Sequence, residues 1–250
     1  MSQCWASQFG NCGPPTREHL VSQSLLRGKT VFHFRKGIGT VHESTIVSLG
    51  RLSASILCKV HNEELGRTAD RAALQLLGAL RALRKPMELR GSKLMRPPLA
   101  FRISGVDYGR WLCKTHCNLL VAGGLRPAVE YAQYAFMRPL SSPLRFLFSF
   151  RTGDTFRPVD PRLTKLSWRH YCDTSGALAG TQPCSDAFSM NLCGLEVLVI
   201  ANARPVPSRG LHDRLGAIKA YTRLGDLTIE FDWKNEPDGA RPWSAGVGCR

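Results

Sequence analysis

The chain lacks the long apolar runs that a membrane protein needs. A membrane-spanning helix takes at least about 18 consecutive apolar residues, and the longest candidate here, 195–203, contains Glu196 and suits a buried strand. Internal repeats and low-complexity tracts are also missing from the sequence, which argues against a repeat array. The sequence therefore predicts a soluble, non-repetitive protein that does not use a membrane as its partner.

Secretion signals and a paired-cysteine framework are absent as well. The first residues, MSQCW, do not show the basic and then apolar pattern of a secretory signal. The chain has 9 cysteines, an odd number that does not suit a framework of disulfides alone. We expect a cytoplasmic protein whose cysteines are reduced.

Acidic residues are scarce. The chain has 19 Asp and Glu against 34 Lys and Arg, a net charge of +15, and residues 1–100 alone hold 15 basic against 6 acidic residues. Such an excess favours a polyanionic partner, and we expect nucleic acid to contact the N-terminal part. Many basic proteins never bind nucleic acid, so charge alone leaves both interpretations open.

The remaining composition and the periodicity predict an α+β protein. Hydrophobic residues make up 43% and charged residues 21% of the chain, as in globular proteins. Apolar residues recur with helical spacing from His61 to Leu83, with a break near Gly66 and an end at Pro86, and again over 106–121. Short strands between turn residues follow from residue 143.

These patterns divide the chain into three regions. Residues 1–85 hold the chemistry-bearing motifs, 86–100 form a basic linker, and 101–250 form an α+β region whose later part is strand-rich and mixed. The role of the last region does not follow from the sequence, and it is a candidate surface for a protein partner or an oligomer.

Cysteine and histidine residues near the N-terminus have the spacing of a metal site. Cys58 and His61 form a Cys-x-x-His pair at the predicted helix start, so both side chains can bind one ion. Cys4 and Cys12 lie upstream as the available second pair. The four residues predict a structural zinc site that would stabilise a segment with little core of its own.

The order of motifs resembles a known nuclease family. TREHLV at 16–21 and ILCKVHNEELG at 56–66, with Asp70 further on, are similar to the HNH endonucleases, the His-Me finger or ββα-metal superfamily, in the zinc-stapled branch. The resemblance covers about the first third of the chain. It implies an N-terminal ββα-metal, treble-clef-like finger followed by helices and the mixed, strand-rich region.

The resemblance also implies residue roles. His19 would act as the general base that activates water, and Glu18 with Asn62 would hold one catalytic Mg²⁺ or Mn²⁺ during phosphodiester hydrolysis of DNA. The structural zinc would remain separate, on the cysteine and histidine ligands. Basic residues in and after the finger are the candidate phosphate contacts: Arg17, Lys59, Arg81, Arg84, Lys85, Arg90, Lys93 and Arg96.

In a second interpretation the protein has the same finger but does not catalyse hydrolysis. Seven residues separate Cys4 from Cys12, where zinc fingers of this kind have about two to four, so His33 or His42 could replace Cys4. The middle of the motif also lacks the Asn that commonly orients the catalytic His in the family. The protein would then be an inactive, zinc-stapled nucleic-acid-binding or scaffold protein.

A third interpretation is a cysteine hydrolase that uses Cys113 and His116. Both lie in the predicted helix over 106–121, whose surroundings are apolar. Free cysteines in such helices are commonly small buried hydrophobes, so we predict core packing there instead.

Overall fold

The structure is a computed structural model, and the residues that it describes form helices and three sheets. It describes residues 4–22, 25, 31–38, 41–47, 53–88, 99–122, 124, 126–136, 144–150, 163–171, 185–192, 195–201, 212–213, 215–222, 225–233 and 243–248. The predicted α+β class is confirmed.

A two-stranded sheet and a helix form the N-terminal part. Strand β1 (Pro15–His19) pairs antiparallel with β4 (Ser53–Cys58), and helix α1 (Lys59–Leu65) begins directly after β4. Pro15 lies opposite Cys58 and His19 lies opposite Ser53. The start of β1 is therefore beside the start of α1.

The predicted long helix forms, with a change of pitch where the break was predicted. A π-helical turn (Gly66–Asp70) joins α1 to α2 (Arg71–Glu88). The predicted apolar stripe is buried at Leu65, Ala69, Ala72, Ala73, Leu76, Leu77 and Leu80. The predicted end at Pro86 is wrong, because α2 continues to Glu88, two residues beyond the proline. Proline lacks the N–H that a helix uses and crowds the carbonyl four residues earlier, and α2 ends within one turn of it.

The segment 31–47 forms a hairpin. Strands β2 (Val31–Ile38) and β3 (Val41–Val47) pair antiparallel and join a seven-stranded sheet of order β10-β6-β9-β8-β7-β2-β3. Its other strands are β6 (Leu144–Phe150), β7 (Leu163–Tyr171), β8 (Ser185–Leu192), β9 (Leu195–Ala201) and β10 (His212–Asp213).

A four-stranded sheet of order β13-β11-β12-β5 completes the β structure. Its strands are β5 (Leu99–Ser104), β11 (Leu215–Thr222), β12 (Gly225–Asp232) and β13 (Trp243–Gly248). Strand β5 is parallel to β12, so the segment that leads into the next helix is held by a strand from the C-terminal part of the chain.

Helix α3 (Gly105–Ala122) lies at the centre of the fold and packs against the short helix α4 (Val129–Ala135). A Cβ added at Gly105 would lie 2.5 Å from the Trp233 ring, and one at Gly109 would lie 2.8 Å from the Tyr134 hydroxyl. Only glycine permits this close approach. After the helix, Gly124 has a φ of 84°, which is the left-handed conformation common just after a helix.

Helix α3 is buried on all sides, including its polar residues, which bond to the surrounding elements. The Arg110 guanidinium donates to the Ala135 carbonyl at 2.8 Å and to Asp107 at 2.8 Å. The Lys114 ammonium donates to the Asp70 carboxylate at 3.0 Å. These bonds tie α3 to α4 and to the π-helical turn.

Within the described helices, none is long and apolar enough to cross a lipid bilayer.

Candidate metal centre and the adjacent Glu-Asn pair

The segment from Cys4 to Cys12 folds into a compact turn that returns the chain to its starting point. A single 3-10 turn, Ser7–Phe9, occupies its middle, and the Ser7 N–H donates to the Cys4 carbonyl at 3.0 Å. Gly10 and Asn11 then have φ angles of 78° and 49°, which reverse the chain. The wide spacing between the two cysteines therefore does not separate them in space.

Cys4, Cys12, Cys58 and His61 form a Cys3His cluster that could hold zinc. Their ligand atoms all lie within 4.8 Å of one another, and Cys4, Cys58 and His61 are buried. The predicted set of four is confirmed as a cluster. Cys4 is a member in spite of its distance along the chain, and the side chains of His33 and His42 lie outside those that the structure describes.

The distances from His61 to two of the sulfurs match the edges of a tetrahedral zinc site. The His61 Nδ1 atom lies 3.2 Å from the Cys58 sulfur and 3.5 Å from the Cys4 sulfur. A tetrahedral ion at about 2.3 Å from sulfur and about 2.0 Å from nitrogen holds such neighbours about 3.5 Å apart. The Nδ1 atom can carry one hydrogen and cannot donate separately to both sulfurs. One ion shared by Nδ1 and the two sulfurs therefore explains both short distances better than two hydrogen bonds do.

The electrostatics of the thiols also favour a cation. Burial is the largest influence on Cys58 and acts to raise its pKa, but the backbone N–H groups of His61 and Gly13 bring that pKa below its ordinary value. Burial raises the pKa of Cys4, and burial with the neighbouring thiols raises the pKa of Cys12 to about 12. Cys58 thus ionises more readily than an ordinary thiol, whereas Cys4 and Cys12 ionise less readily. A divalent cation would stabilise the thiolate form of all three.

The His61 ring is held in the neutral form, which is the form that binds metals. Burial lowers the pKa of His61, and the charge of Glu64 opposes that shift only in part. The imidazole is therefore neutral near pH 7, as a metal ligand must be.

Aromatic side chains cover the His61 side of the cluster, whereas Cys12 is exposed, and the sequence motifs did not reveal these aromatic residues. The Phe136 ring lies 5.3 Å from the His61 ring, 5.3 Å from the Phe9 ring and 5.8 Å from the Trp5 ring. Phe136 follows α4, far along the chain from the ligands. An apolar cover of this kind limits solvent access and lowers the local dielectric.

Glu18 and Asn62 meet in the structure, and Asn62 directly follows His61 of the Cys3His cluster. The Asn62 side-chain amide donates to Glu18 Oε2 at 2.6 Å, across 44 residues of sequence. The Thr16 hydroxyl donates to Glu18 Oε1 at 2.5 Å and lies 3.1 Å from the Leu57 carbonyl. Strand β1 and helix α1 thus bring together the two predicted ion ligands, and Thr16 is an additional oxygen that the sequence analysis did not identify.

His19 occupies the last position of β1, where it is half-buried. Because neighbouring side chains of a strand point to opposite faces, His19 is expected to leave the strand on the side away from Glu18. Asp70, a weaker part of the motif, accepts from the Ser22 hydroxyl at 2.7 Å and from Lys114. It therefore serves the packing of α3.

Three of the predicted phosphate contacts are described and exposed. Arg17 donates to the Ser53 hydroxyl at 2.8 Å, Lys59 lies 3.8 Å from Glu63 at the start of α1, and Arg81 is exposed on α2. The other predicted contacts cannot be placed: the side chains of Arg84 and Lys85, and the residues Arg90, Lys93 and Arg96, lie outside the described part of the chain.

Cys113 and His116 are both fully buried in α3. The Cys113 thiol donates to the Tyr131 carbonyl at 3.2 Å, and burial raises its pKa well above the ordinary value. The His116 ring meets the Tyr131 ring edge-on at 5.5 Å. A protonated, inaccessible thiol suits packing rather than nucleophilic catalysis.

Comparison of the chain with protein-family models, with curated proteins and with solved structures gave no match.

Proposed function

We propose that this protein is a metal-dependent nuclease of the HNH type, which hydrolyses phosphodiester bonds in DNA with His19 as general base. The observation that carries the proposal is the contact between Glu18 and Asn62, at 2.6 Å, which joins strand β1 to helix α1, the helix that also carries His61 of the Cys3His cluster. Two sites of different chemistry then lie side by side, one sulfur-rich and one oxygen-rich.

The oxygen-rich site suits Mg²⁺ or Mn²⁺, which prefer oxygen ligands. A half-turn of the Asn62 amide replaces its NH₂ group by its oxygen toward Glu18, and both oxygens can then bind one ion. A bound divalent ion would stabilise the charge that develops on the scissile phosphate and on the leaving oxygen. Thr16 holds the other oxygen of Glu18 and so fixes the carboxylate.

Side chains of the protein would supply the general base and the contacts to the phosphates. His19 would accept a proton from the attacking water, a role that suits an imidazole near neutral pH. Exposed basic residues, among them Arg17, Lys59 and Arg81, would hold the phosphates on either side. The zinc would be structural, because all four of its predicted ligands come from the protein.

Purified protein incubated with plasmid DNA and Mg²⁺ or Mn²⁺ tests the proposal. We expect cleavage that a chelator abolishes, and a loss of about 10²- to 10⁴-fold in His19→Ala, the usual contribution of a general base. Glu18→Gln should also lose cleavage. Glu63→Gln is the matched control, because it removes an exposed carboxylate from the helix that carries Asn62.

Zinc content should be equal in all of these variants, so that loss of cleavage is not loss of fold. No cleavage at any salt concentration, or cleavage unchanged in His19→Ala, would overturn the proposal. DNA and RNA of the same sequence, tested side by side, would assign the substrate.

A second candidate is a zinc-stapled nucleic-acid-binding or scaffold protein without hydrolysis. The position of His19 at the end of β1 favours it, because strand side chains alternate and the imidazole is therefore expected on the face opposite to Glu18. This candidate predicts DNA binding that weakens steeply with salt and no turnover with any divalent ion. Chelator-sensitive cleavage would exclude it.

A further inference from the structure

Asn118 is a buried polar side chain on α3 that touches two separate parts of the candidate site. It is 1% exposed and lies on the side of the helix that faces the N-terminal segment. Its side-chain oxygen accepts from the Trp5 indole N–H at 3.0 Å. Its side-chain NH₂ donates to the Leu20 backbone carbonyl at 3.3 Å.

Both partners are neighbours of proposed functional residues. Trp5 follows Cys4, and its own backbone N–H donates to the Ile56 carbonyl of β4 at 3.1 Å. Leu20 follows His19, and its carbonyl is the first backbone acceptor after the end of β1. One amide group therefore bonds to the segment that carries a metal ligand and to the segment that carries the proposed base.

The geometry uses both the acceptor and the donor of the asparagine side chain. Trp5 offers only a donor and the Leu20 carbonyl only an acceptor, so the bridging group must accept on one side and donate on the other. An amide does both, whereas a carboxylate only accepts and a hydrocarbon does neither. Because the site is buried, loss of either bond leaves a polar group without its partner and out of reach of water.

We infer that Asn118 is a positioning residue, which sets the place of His19 relative to the metal cluster through its bonds to Leu20 and Trp5. The catalytic part of this inference rests on the proposed nuclease function. The positional part concerns the folded chain alone and can be measured without any substrate.

The test compares Asn118→Asp with Thr115→Val in the full-length protein. Asp keeps the shape and the acceptor for Trp5 but loses the donor to Leu20. Thr115 is 1% exposed on the same helix, so its variant controls for the removal of a buried polar group. The readouts are kcat and KM for DNA cleavage, zinc per chain, and the NMR signal of the His19 ring.

We expect kcat to fall on the order of 10- to 100-fold in Asn118→Asp, the effect of about 1 Å of misplacement, with KM and zinc unchanged. The His19 signal should move in this variant and stay in place in Thr115→Val. Equal kcat values and an unmoved His19 signal in the two variants would overturn the inference and leave the proposed function intact.

If the wild-type protein cleaves no DNA, the proposed function fails, and the His19 signal then decides the positional inference alone. A signal that moves only in the Asn118 variant supports it, and an unmoved signal overturns it. If Asn118→Asp does not fold, Asn118→Leu, which has similar volume and no charge, takes its place under the same criteria.

Discussion

Removal of one cluster ligand is the most informative perturbation that the structure suggests. Cys58 and Cys117 are both fully buried cysteines, but only Cys58 belongs to the Cys3His cluster. Replacing each by alanine removes the same atoms from the interior. Any difference between the two variants therefore measures the role of the cluster and not the loss of a sulfur atom from the core.

The magnitude follows from linkage between metal binding and folding. An ion that binds only the folded chain stabilises it by about 4 kcal/mol when its free concentration is 1,000 times Kd. The total stability of a domain is about 5–15 kcal/mol, and for a chain of this length 1 kcal/mol shifts Tm by about 2–4 °C. Loss of zinc in Cys58→Ala should lower Tm by roughly 8–16 °C, whereas Cys117→Ala should lose only about 1 kcal/mol.

The assay is calorimetry with and without a chelator, together with the metal content of the purified protein. Wild type and Cys117→Ala should contain one zinc per chain and lose stability when the chelator is added. Cys58→Ala should hold little zinc and respond weakly to the chelator. A wild-type protein that binds no zinc, or equal Tm values for the two alanine variants, would refute the assignment of the cluster as a zinc site.

Two further predictions test the packing of the helices that support the site. Gly105→Ala should destabilise the protein by about 1–3 kcal/mol, because the added Cβ would lie 2.5 Å from Trp233. Gly78→Ala on α2 has nothing within 4 Å of its added Cβ and should stabilise the protein by about 0.5–1 kcal/mol. Urea unfolding of both variants checks the pair, and a change of the unfolding free energy in the same direction in both would contradict it. Burial lowers the pKa of His116 from 6.5 to about 3, so the unfolded chain takes up a proton that the folded chain does not, and stability is lost as the pH falls from 6.5 toward 3. Relative to His116→Gln, wild type should lose up to about 1.4 kcal/mol more per pH unit in this range, and parallel pH profiles of the unfolding free energy would disprove the neutral, buried state of the ring.

The candidate site was partly predictable because some of its chemistry is local. Cys58 and His61 are three residues apart at a helix start, a spacing that brings both side chains to one ion wherever the helix packs. The membership of Cys4 was harder to predict, because it depends on the conformation of Gly10 and Asn11 in the intervening turn. The wide gap suggested a broken site, and the 3-10 turn shows how the gap is closed.

The cover over the cluster could not be predicted from motifs. Phe136 reaches His61 only because α4 packs against α3. No spacing rule connects an aromatic residue that follows one helix to a candidate metal ligand at the start of another. The same holds for Asn118, which looks like an ordinary polar residue in the sequence and bonds to the site from a helix buried on every side.

The sequence by itself determined the features that depend on interactions between residues a few positions apart. These are the helical stripe of α2, the change of pitch at Gly66, the extent of α3 and the Cys-x-x-His pair. Only the tertiary structure decided that Asn62 meets Glu18 across 44 residues, that Cys4 meets His61 across 57, and that Trp5 meets Asn118 across 113. The physical reason is range. The hydrogen bonds of a helix turn join residues that are close in the sequence. The three contacts above form only when the N-terminal segment, the strand pair and α1 pack against α3 in one core.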